Sequence, residues 1–300
     1  MDFQPGYVRL LEENLFQERI DEAKKQLSNC SLCPRNCGVD RASNRGFCQA
    51  GDVAVVSSFG PHYGEEKVLV GRRGSGTIFF GYCNLRCVYC QNHELSFKGA
   101  GRPLSNEQLA EVMLILQNRH GCPNINLVTP THYLPNILEA VYLAAQEGLR
   151  LPLVYNCGGY ESLASLRLLA GVVDIYMPDF KYNSGKRSLR YSDAENYPQV
   201  AREALREMDR QVGGLKTDQK GLAQRGLLLR HLVLPCGLDD TKEILRFIKD
   251  ELSAGTLVNV MGQYHPCHQA FQYPEISRRL GRSEFREALR FARDLDLRLA

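Results

Sequence analysis

Apolar and polar positions follow two different periods along the chain, and these periods predict strands and helices in turn. Six short apolar runs have the length and composition of buried strands. They cover residues 77–81, 125–129, 151–156, 172–177, 227–234 and 257–263. The stretches between these runs carry apolar residues three and four positions apart, which predicts amphipathic helices. Regular alternation of strands and helices predicts parallel strands joined by right-handed crossovers.

Six strand–helix units are fewer than the eight of a complete barrel, so the pattern predicts an α/β fold with a partial, splayed barrel. In barrels of this class, functional side chains gather at the C-terminal ends of the strands. We expect two parts. Residues 1–76 contain a helix over residues 8–28, a cysteine-rich segment and small antiparallel strands, and residues 77–300 form the barrel.

A six-unit arc also predicts a lateral gap between the first and last strands, which a closed barrel does not have. Such a gap can admit a loop of another protein. The polar, basic stretch 183–191 follows the fourth strand and is expected to be a loop. Its charges at Lys186, Arg187 and Arg190 either line that gap or are simply solvated.

Composition and charge narrow the class of protein only slightly. The chain has 300 residues, 44% of them hydrophobic, and a formal net charge of +3. This near-balance gives no reason to expect nucleic acid or a membrane surface as a partner. The sequence has no apolar stretch long enough to span a bilayer and no N-terminal signal pattern, so we expect a cytoplasmic location. In a reducing cytosol, the 11 cysteines indicate metal binding.

The most informative cysteines are Cys83, Cys87 and Cys90, directly after the first predicted strand. Their spacing is C-x3-C-x2-C, and Tyr89 precedes the last of them. Thiolates are the ligands of iron–sulfur clusters, and three of them can hold three irons of a 4Fe–4S cluster while the fourth iron stays open. A disulfide framework does not suit a cytosolic chain. A structural zinc would need a fourth nearby ligand, and the candidate, His93, lies only three residues beyond Cys90.

This spacing, the aromatic residue and the preceding strand resemble the signature of the radical S-adenosylmethionine (radical SAM) superfamily. The resemblance implies that a 4Fe–4S cluster at Cys83, Cys87 and Cys90 binds SAM at its open iron. It further implies that reduction of the SAM sulfonium releases a 5′-deoxyadenosyl radical, which abstracts hydrogen from a substrate. An electron donor such as flavodoxin or ferredoxin is then needed. The expected fold is a partial (β/α)6 TIM-like barrel with a small N-terminal helical, cysteine-rich extension.

Two charged residues follow the fourth predicted strand and are candidates for cofactor binding. Because strand residues two apart share a face, Asp179 and Lys181 can both project inward and bind a zwitterionic ligand. A structural ion pair would have the same sequence pattern. Asn156, at the end of the third strand, is either a further SAM contact or a turn-forming residue. The backbone of Tyr89 is expected to contact the adenine of SAM.

The Asp-x-Lys pattern is similar to that of the activating enzymes of glycyl radical enzymes, in which this strand helps to hold SAM. Further segments resemble the subgroup named after the pyruvate formate-lyase activating enzyme. They are residues 33–38, 128–132, 155–159, 230–235 and 259–264. This resemblance implies a glycyl radical enzyme as the partner. Radical modification of a small molecule or peptide stays open, as does an iron–sulfur electron-transfer or scaffold protein. Residues 129–132 replace the Gly-Gly-Glu of activating enzymes, which leaves the SAM contacts on the second strand open.

A second cysteine group precedes the predicted barrel. It consists of Cys30, Cys33, Cys37 and Cys48, with the spacing C-x2-C-x3-C-x10-C. Four thiols this close in sequence can form a structural zinc site, ligate a second iron–sulfur cluster, or simply be reduced structural thiols. Cys122 and Cys236 are expected to be small buried residues. Cys157 and Cys267 lie near strand ends and can face the cavity.

Overall fold

The computed structural model describes residues 3–300, and within them a nine-stranded sheet forms the centre of the molecule. The strands are β1 (Ala54–His62), β2 (Ser75–Phe80), β3 (Arg102–Leu104), β4 (Ile125–Val128), β5 (Leu153–Cys157), β6 (Ile175–Pro178), β7 (Lys216–Thr217), β8 (Ala223–Leu232) and β9 (Leu257–Met261). In the order β2, β4, β5, β6, β8 and β9, each strand runs parallel to the next. All six predicted strands therefore exist, and the α/β partial barrel is confirmed.

Eleven α-helices accompany these strands within residues 3–300. They are α1 (Gly6–Glu12), α2 (Phe16–Ser28), α3 (Lys67–Val70), α4 (His93–Lys98), α5 (Asn106–Asn118), α6 (Leu134–Gln146), α7 (Leu163–Leu169), α8 (Gly185–Ser192), α9 (Tyr197–Val212), α10 (Leu238–Glu251) and α11 (Arg282–Asp294). At the start of α5, Ser105 and Gln108 form a reciprocal capping box. No helix within residues 3–300 is both long and apolar enough to cross a membrane.

The helix predicted over residues 8–28 is two helices, α1 and α2. They are separated at Asn14, whose φ of +55° lies in the left-handed region. Asparagine tolerates this conformation better than most residues, so it can end one helix and redirect the chain. The turn lets Gly6 N donate a hydrogen bond to Asp174 Oδ1 (2.9 Å), which fixes α1 to the start of β6.

The expectation of a loop over residues 183–191 is wrong, because this stretch forms α8. Ser184 caps the helix by accepting a hydrogen bond from Arg187 N (3.4 Å), and Asp193 ends it in the left-handed conformation. The buried face consists of Ser188, Tyr191 and Ser192. Because two of these three residues are serines, the helix has almost no apolar periodicity in its sequence.

The expected small antiparallel strands after Val53 are a single strand, β1, which belongs to the barrel sheet. It pairs antiparallel with β2 along one edge and with the short β3 along the other. The cysteine-rich residues 30–48 lie earlier in the chain and pack near the C-terminal ends of the parallel strands. There Ser165 Oγ, at the start of α7, donates to Leu32 O (2.8 Å). The division of the chain at residue 76 stays a prediction.

The gap between β2 and β9 is not open at the level of the strand centres. Residues 63–70, which we call the crossing segment, run from the β1 side of the arc to its β9 side. Asn259 Nδ2 of β9 donates to Glu66 Oε1 (2.9 Å). Leu69 is fully buried among Val154, Met177 and other apolar side chains inside the barrel. The expectation of an unobstructed lateral gap is therefore wrong for this part of the barrel.

Candidate active site

The three cysteines that follow β2 lie on a loop that is fastened to the rest of the protein along its backbone. Arg86 N donates to Ser192 O (3.3 Å), and Val88 N donates to Tyr191 O (2.9 Å), so α8 holds one side of the loop. Gln269 N donates to Val88 O (2.8 Å) and holds the other side. At the end of β2, the carbonyl of Gly81 accepts a hydrogen bond from His132 Nε2 (2.9 Å).

Each of the three sulfurs has a polar neighbour. These contacts are Leu85 N to Cys83 Sγ (3.4 Å), Ser192 Oγ to Cys87 Sγ (3.0 Å) and Cys90 Sγ to Ser96 Oγ (3.5 Å). Burial raises the pKa of all three thiols above the usual value. Without a metal they are therefore neutral thiols, and a metal that binds them must displace their protons.

Three thiols on one short loop are a donor set that can hold three irons of a 4Fe–4S cluster. Within residues 3–300, no group of three or more His, Cys, Asp or Glu side chains is arranged to hold one metal ion. In a 4Fe–4S cluster each thiolate binds a different iron, so the sulfurs stand further apart than the ligands of one ion. Cys87 and Cys90 line a cavity, so a cluster held by these thiols would border that cavity.

The cavity has a volume of about 420 Å³ and lies at the C-terminal ends of the parallel strands. This size is in the range of sites for small ligands and cofactors. The lining includes all four residues that the sequence proposed for cofactor binding. They are Tyr89, Asn156, Asp179 and Lys181. The cysteine loop and the ends of β5 and β6 thus contribute to one cavity, as expected for a barrel of this class.

Within the cavity, Asp179 is held between two cations. Lys181 Nζ donates to Asp179 Oδ2 (2.5 Å), and Arg230 Nε donates to Asp179 Oδ1 (3.0 Å). Burial alone would raise the pKa of the Asp179 carboxyl, but the two cations outweigh burial and hold this pKa below its usual value. Burial alone would lower the pKa of Lys181, but the Asp179 carboxylate outweighs burial and raises this pKa. All three groups are therefore ionised at neutral pH.

Arg230 and Glu65 complete this network, and the sequence analysis did not identify either as a site residue. Arg230 Nη2 donates to Asn156 Oδ1 (2.6 Å), and its Nη1 lies 3.6 Å from Glu65 Oε2. Arg230 had a detectable signal, because it is a charged residue inside the apolar run 227–234. Glu65 had none. It belongs to the crossing segment and reaches the cavity only through the fold.

A chain of buried hydroxyl groups leads from the cavity wall to the cysteine loop. Tyr89 OH lies 2.6 Å from Tyr182 OH, which lies 2.7 Å from Ser192 Oγ. Ser192 Oγ in turn donates to Cys87 Sγ (3.0 Å). Each hydroxyl can both donate and accept, so Ser192 can accept a hydrogen bond from Tyr182 while it donates to Cys87 Sγ.

The residues in place of Gly-Gly-Glu, after β4, turn their side chains away from the cavity. Thr131 Oγ1 donates to Glu161 Oε1 (2.8 Å), and burial raises the pKa of that carboxyl to about 7. His132 is buried and donates to the backbone before the cysteine loop, and burial lowers its pKa to about 3. Val128, the last residue of β4, lines the cavity, whereas residues 129–132 do not.

The second cysteine group lies beside the cysteine loop but outside the cavity. Arg35 Nε donates to Asn84 O (3.0 Å), and Arg86 Nη2 donates to Phe47 O (2.8 Å), so the two regions are joined by reciprocal contacts. Cys30, Cys33, Cys37 and Cys48 are all free thiols.

The remaining cysteines do not extend either group. Cys122 is buried, as expected, but Cys236 is exposed, so its expected burial is wrong. Cys236 has a positive φ of 56° in the loop before α10, outside the apolar core. Cys157 and Cys267 do not line the cavity. Cys267 Sγ instead donates to Tyr89 O (3.1 Å) and supports the loop from outside.

Residues 77–207, which carry the cysteine loop and the Asp179–Lys181 pair, match the family model described as Radical SAM superfamily. The chain belongs to this superfamily, and membership implies a 4Fe–4S cluster and SAM as cofactors. Among curated relatives, the chain is 33% identical over 308 residues to the uncharacterized protein MJ0674 of Methanocaldococcus jannaschii. This alignment covers 99% of the present chain and 84% of the relative. The uncharacterized protein MJ0808 of the same organism is 25% identical over 289 residues, with 88% and 78% covered.

Similar solved structures have low sequence identity to the chain. Streptococcus suis SuiB bound to S-adenosylmethionine has a TM-score of 0.49 at 13% identity, with 73% of the present chain and 48% of SuiB covered. The chain thus spans about half the length of SuiB. Methylornithine synthase (PylB) has a TM-score of 0.48 at 16% identity, with 73% and 61% covered.

Proposed function

We propose that this protein cleaves SAM reductively and uses the resulting 5′-deoxyadenosyl radical to abstract hydrogen from a substrate. The observation that carries the proposal is a loop with three thiols beside a cavity that has an ionised Asp179–Lys181 pair. When bound, the cluster supplies one electron and an open iron. Cys83, Cys87 and Cys90 hold it, and the donors at Cys83 and Cys87 stabilise their thiolates.

The charges in the cavity support binding of the amino-acid part of SAM. Lys181 and Arg230 offer two cations, and Asp179 offers an anion between them. A ligand with both a carboxylate and an ammonium group can therefore pair with both signs of charge at once. Asn156 and the backbone of Tyr89 are the proposed contacts to the rest of the cofactor. The side chains of Asp179 and Lys181 are largely shielded from solvent, with 17% and 18% of their surface exposed.

Two classes of substrate are candidates. Activation of a glycyl radical enzyme is the first candidate, supported by the Asp-x-Lys pattern and the strand-end segments. The basic residues on α8 do not support it, because two of them pair within the chain. Arg187 bonds to Cys236 O and lies 3.8 Å from Asp240, and Arg190 lies 2.7 Å from Glu275.

A small polar molecule or a short peptide is the second candidate substrate. The crossing segment favours it, because it closes the side of the barrel and places Glu65 beside Arg230 on the cavity wall. A flavodoxin or ferredoxin as electron donor and a cytoplasmic location remain part of the proposal.

Measurement of 5′-deoxyadenosine tests the chemistry. Wild-type protein, reconstituted anaerobically and reduced with dithionite, should convert SAM to 5′-deoxyadenosine and methionine. Cys87→Ala should form none, because one ligand of the cluster is lost. Cys122→Ala removes a buried thiol that lines neither site and should retain wild-type turnover. Undiminished product from Cys87→Ala would refute the assignment. A wild-type protein with an intact cluster and no product would favour an electron carrier or scaffold.

Deuterium transfer separates the substrate candidates. A glycyl radical enzyme labelled at its glycine should pass deuterium into 5′-deoxyadenosine if the protein is an activase. Transfer from a labelled small metabolite or peptide, without any protein partner, would favour the second candidate.

A further inference from the structure

The cysteine-rich residues 30–48 fold into a compact turn structure that carries all four thiols of the second cysteine group. Cys30 N donates to Val39 O (2.9 Å), and Gly38 N donates to Cys30 O (3.1 Å), which closes the first part of this structure. Gly38 has a φ of +65°, a conformation that glycine adopts at no steric cost. We call residues 30–48 the knuckle.

Two of the four sulfurs in the knuckle accept a hydrogen bond from an N–H group. The donors are Arg41 Nη1 to Cys30 Sγ (3.7 Å) and Phe47 N to Cys37 Sγ (3.3 Å). A neutral thiol is a weak acceptor, whereas a thiolate is a strong one. N–H groups directed at these sulfurs are therefore an arrangement that suits metal-bound thiolates.

Arg41 gives a second, independent indication. Its guanidinium is almost completely buried, with a relative exposure of 1%. It donates to Cys30 Sγ and to two backbone carbonyls, those of Gly51 (2.5 Å) and His132 (3.2 Å). Within residues 3–300 it forms no ion pair with a carboxylate. A buried cation without a counter-charge is strongly destabilising, so an anion must be present beside it.

We infer that the knuckle is a second metal centre, in which Cys30, Cys33, Cys37 and Cys48 are thiolate ligands and Arg41 is the counter-ion. Four thiolates around a divalent ion, or around an oxidised 4Fe–4S cluster, leave a net negative centre that compensates the guanidinium. Both kinds of centre take four cysteine thiolates, and analysis of the bound metal distinguishes them. The centre is separate from the proposed SAM site and does not depend on the proposed function.

The position of the knuckle also gives the metal a structural consequence. Phe47 donates its N–H to Cys37 Sγ and accepts a hydrogen bond from Arg86 of the cysteine loop. Arg35, which lies between two of the ligands, donates to Asn84 O in that loop. A metal in the knuckle therefore stiffens the segment that holds Cys83 and Cys87.

Metal analysis tests the inference in a background without the first cluster. The Cys83→Ala/Cys87→Ala/Cys90→Ala variant, purified anaerobically from medium with iron and zinc, is analysed for both metals and for sulfide. About four irons with sulfide would identify a cluster, and about one zinc per chain would identify a zinc site. Either result supports the metal centre. Absence of both metals from the folded variant would overturn it.

Further substitutions in the same background locate the metal. Cys33→Ala should lose it, whereas Cys122→Ala, outside both groups, should keep it. Equal metal content in these two variants would overturn the assignment of ligands.

The role of Arg41 has its own control. Arg41→Met should release metal to a chelator at least tenfold faster, and Arg41→Lys, which keeps the charge, should recover part of this loss. Arg45→Met neutralises an exposed arginine of the same knuckle and should release metal at the parent rate. Far-UV circular dichroism shows that each variant is folded. Equal release rates for Arg41→Met and Arg45→Met would refute the role of Arg41 as counter-ion.

Discussion

Asp179 and Lys181 provide the sharpest test of how the cavity binds SAM. Asp179→Asn keeps the shape of the side chain but removes the charge that lies 2.5 Å from Lys181 Nζ and 3.0 Å from Arg230 Nε. The two cations then repel each other, with Glu65 as the remaining nearby anion at 3.6 Å from Arg230. Lys181→Ala removes one cation and leaves Asp179 paired with Arg230.

The expected loss follows from the kind of contact removed. A hydrogen bond to a charged group contributes about 1.5–3 kcal/mol. Loss of one such contact to SAM corresponds to a dissociation constant about ten- to a hundredfold higher. The cluster should be unaffected, because neither residue is a proposed iron ligand. We therefore expect weaker SAM binding at unchanged iron content in both variants.

Calorimetric titration of SAM into the reconstituted proteins under anaerobic conditions measures this effect. Lys186→Ala is the matched control, because it removes an exposed lysine from the nearby α8 and should leave the dissociation constant unchanged. If both Asp179→Asn and Lys181→Ala bind SAM as tightly as wild type, the pair only closes the mouth of the barrel. The reasoning from charge complementarity would then be refuted.

Two further predictions concern buried groups. Burial raises the pKa of Glu161 from 4.5 to about 7. The free energy of unfolding of wild type should therefore fall as the pH rises through this range, and the loss should reach about 3 kcal/mol at pH 8. Urea unfolding should therefore show that Glu161→Gln is more stable, relative to wild type, at pH 8 than at pH 5. The exposed Glu203→Gln should show no such change. A pH-independent difference in stability between Glu161→Gln and wild type would contradict this expectation. Ser192→Ala removes the hydroxyl that donates to Cys87 Sγ and should lower the reduction potential of the cluster by about 20–60 mV. A redox titration followed by electron paramagnetic resonance measures the potential, and an unchanged value would exclude this tuning.

The sequence predicted those parts of the fold that depend on local pattern. The six parallel strands are apolar runs bounded by polar turns, and the capping box at Ser105 is a local motif, so both could be identified without the structure. Helix α8 could not, because it buries Ser188 and Ser192 and its sequence therefore looks like that of a solvated loop. The break at Asn14 was also missed, because the helical period continues on both sides of it.

The candidate site was predictable to the extent that its residues lie at strand ends. Asn156 lies at the end of β5, Asp179 and Lys181 come just after β6, and the barrel rule brings such positions into one cavity. The rest of the network around the Asp179–Lys181 pair depends on distances that no local pattern contains. Arg230 lies on another strand, and Glu65 lies on the crossing segment, which starts on the far side of the arc.

The crossing segment has a consequence for the boundaries of a working minimal protein. The matched family region begins at residue 77, whereas Leu69 fills the interior below the cavity and Glu65 forms part of its wall. A chain cut at that boundary would expose the apolar faces of Met177 and Leu228 and leave one edge of β2 without its partner strand. The catalytic core is therefore not a module that can be transplanted alone. Any fusion, chimera or shortened variant has to retain the residues from β1 onwards to keep a sealed barrel.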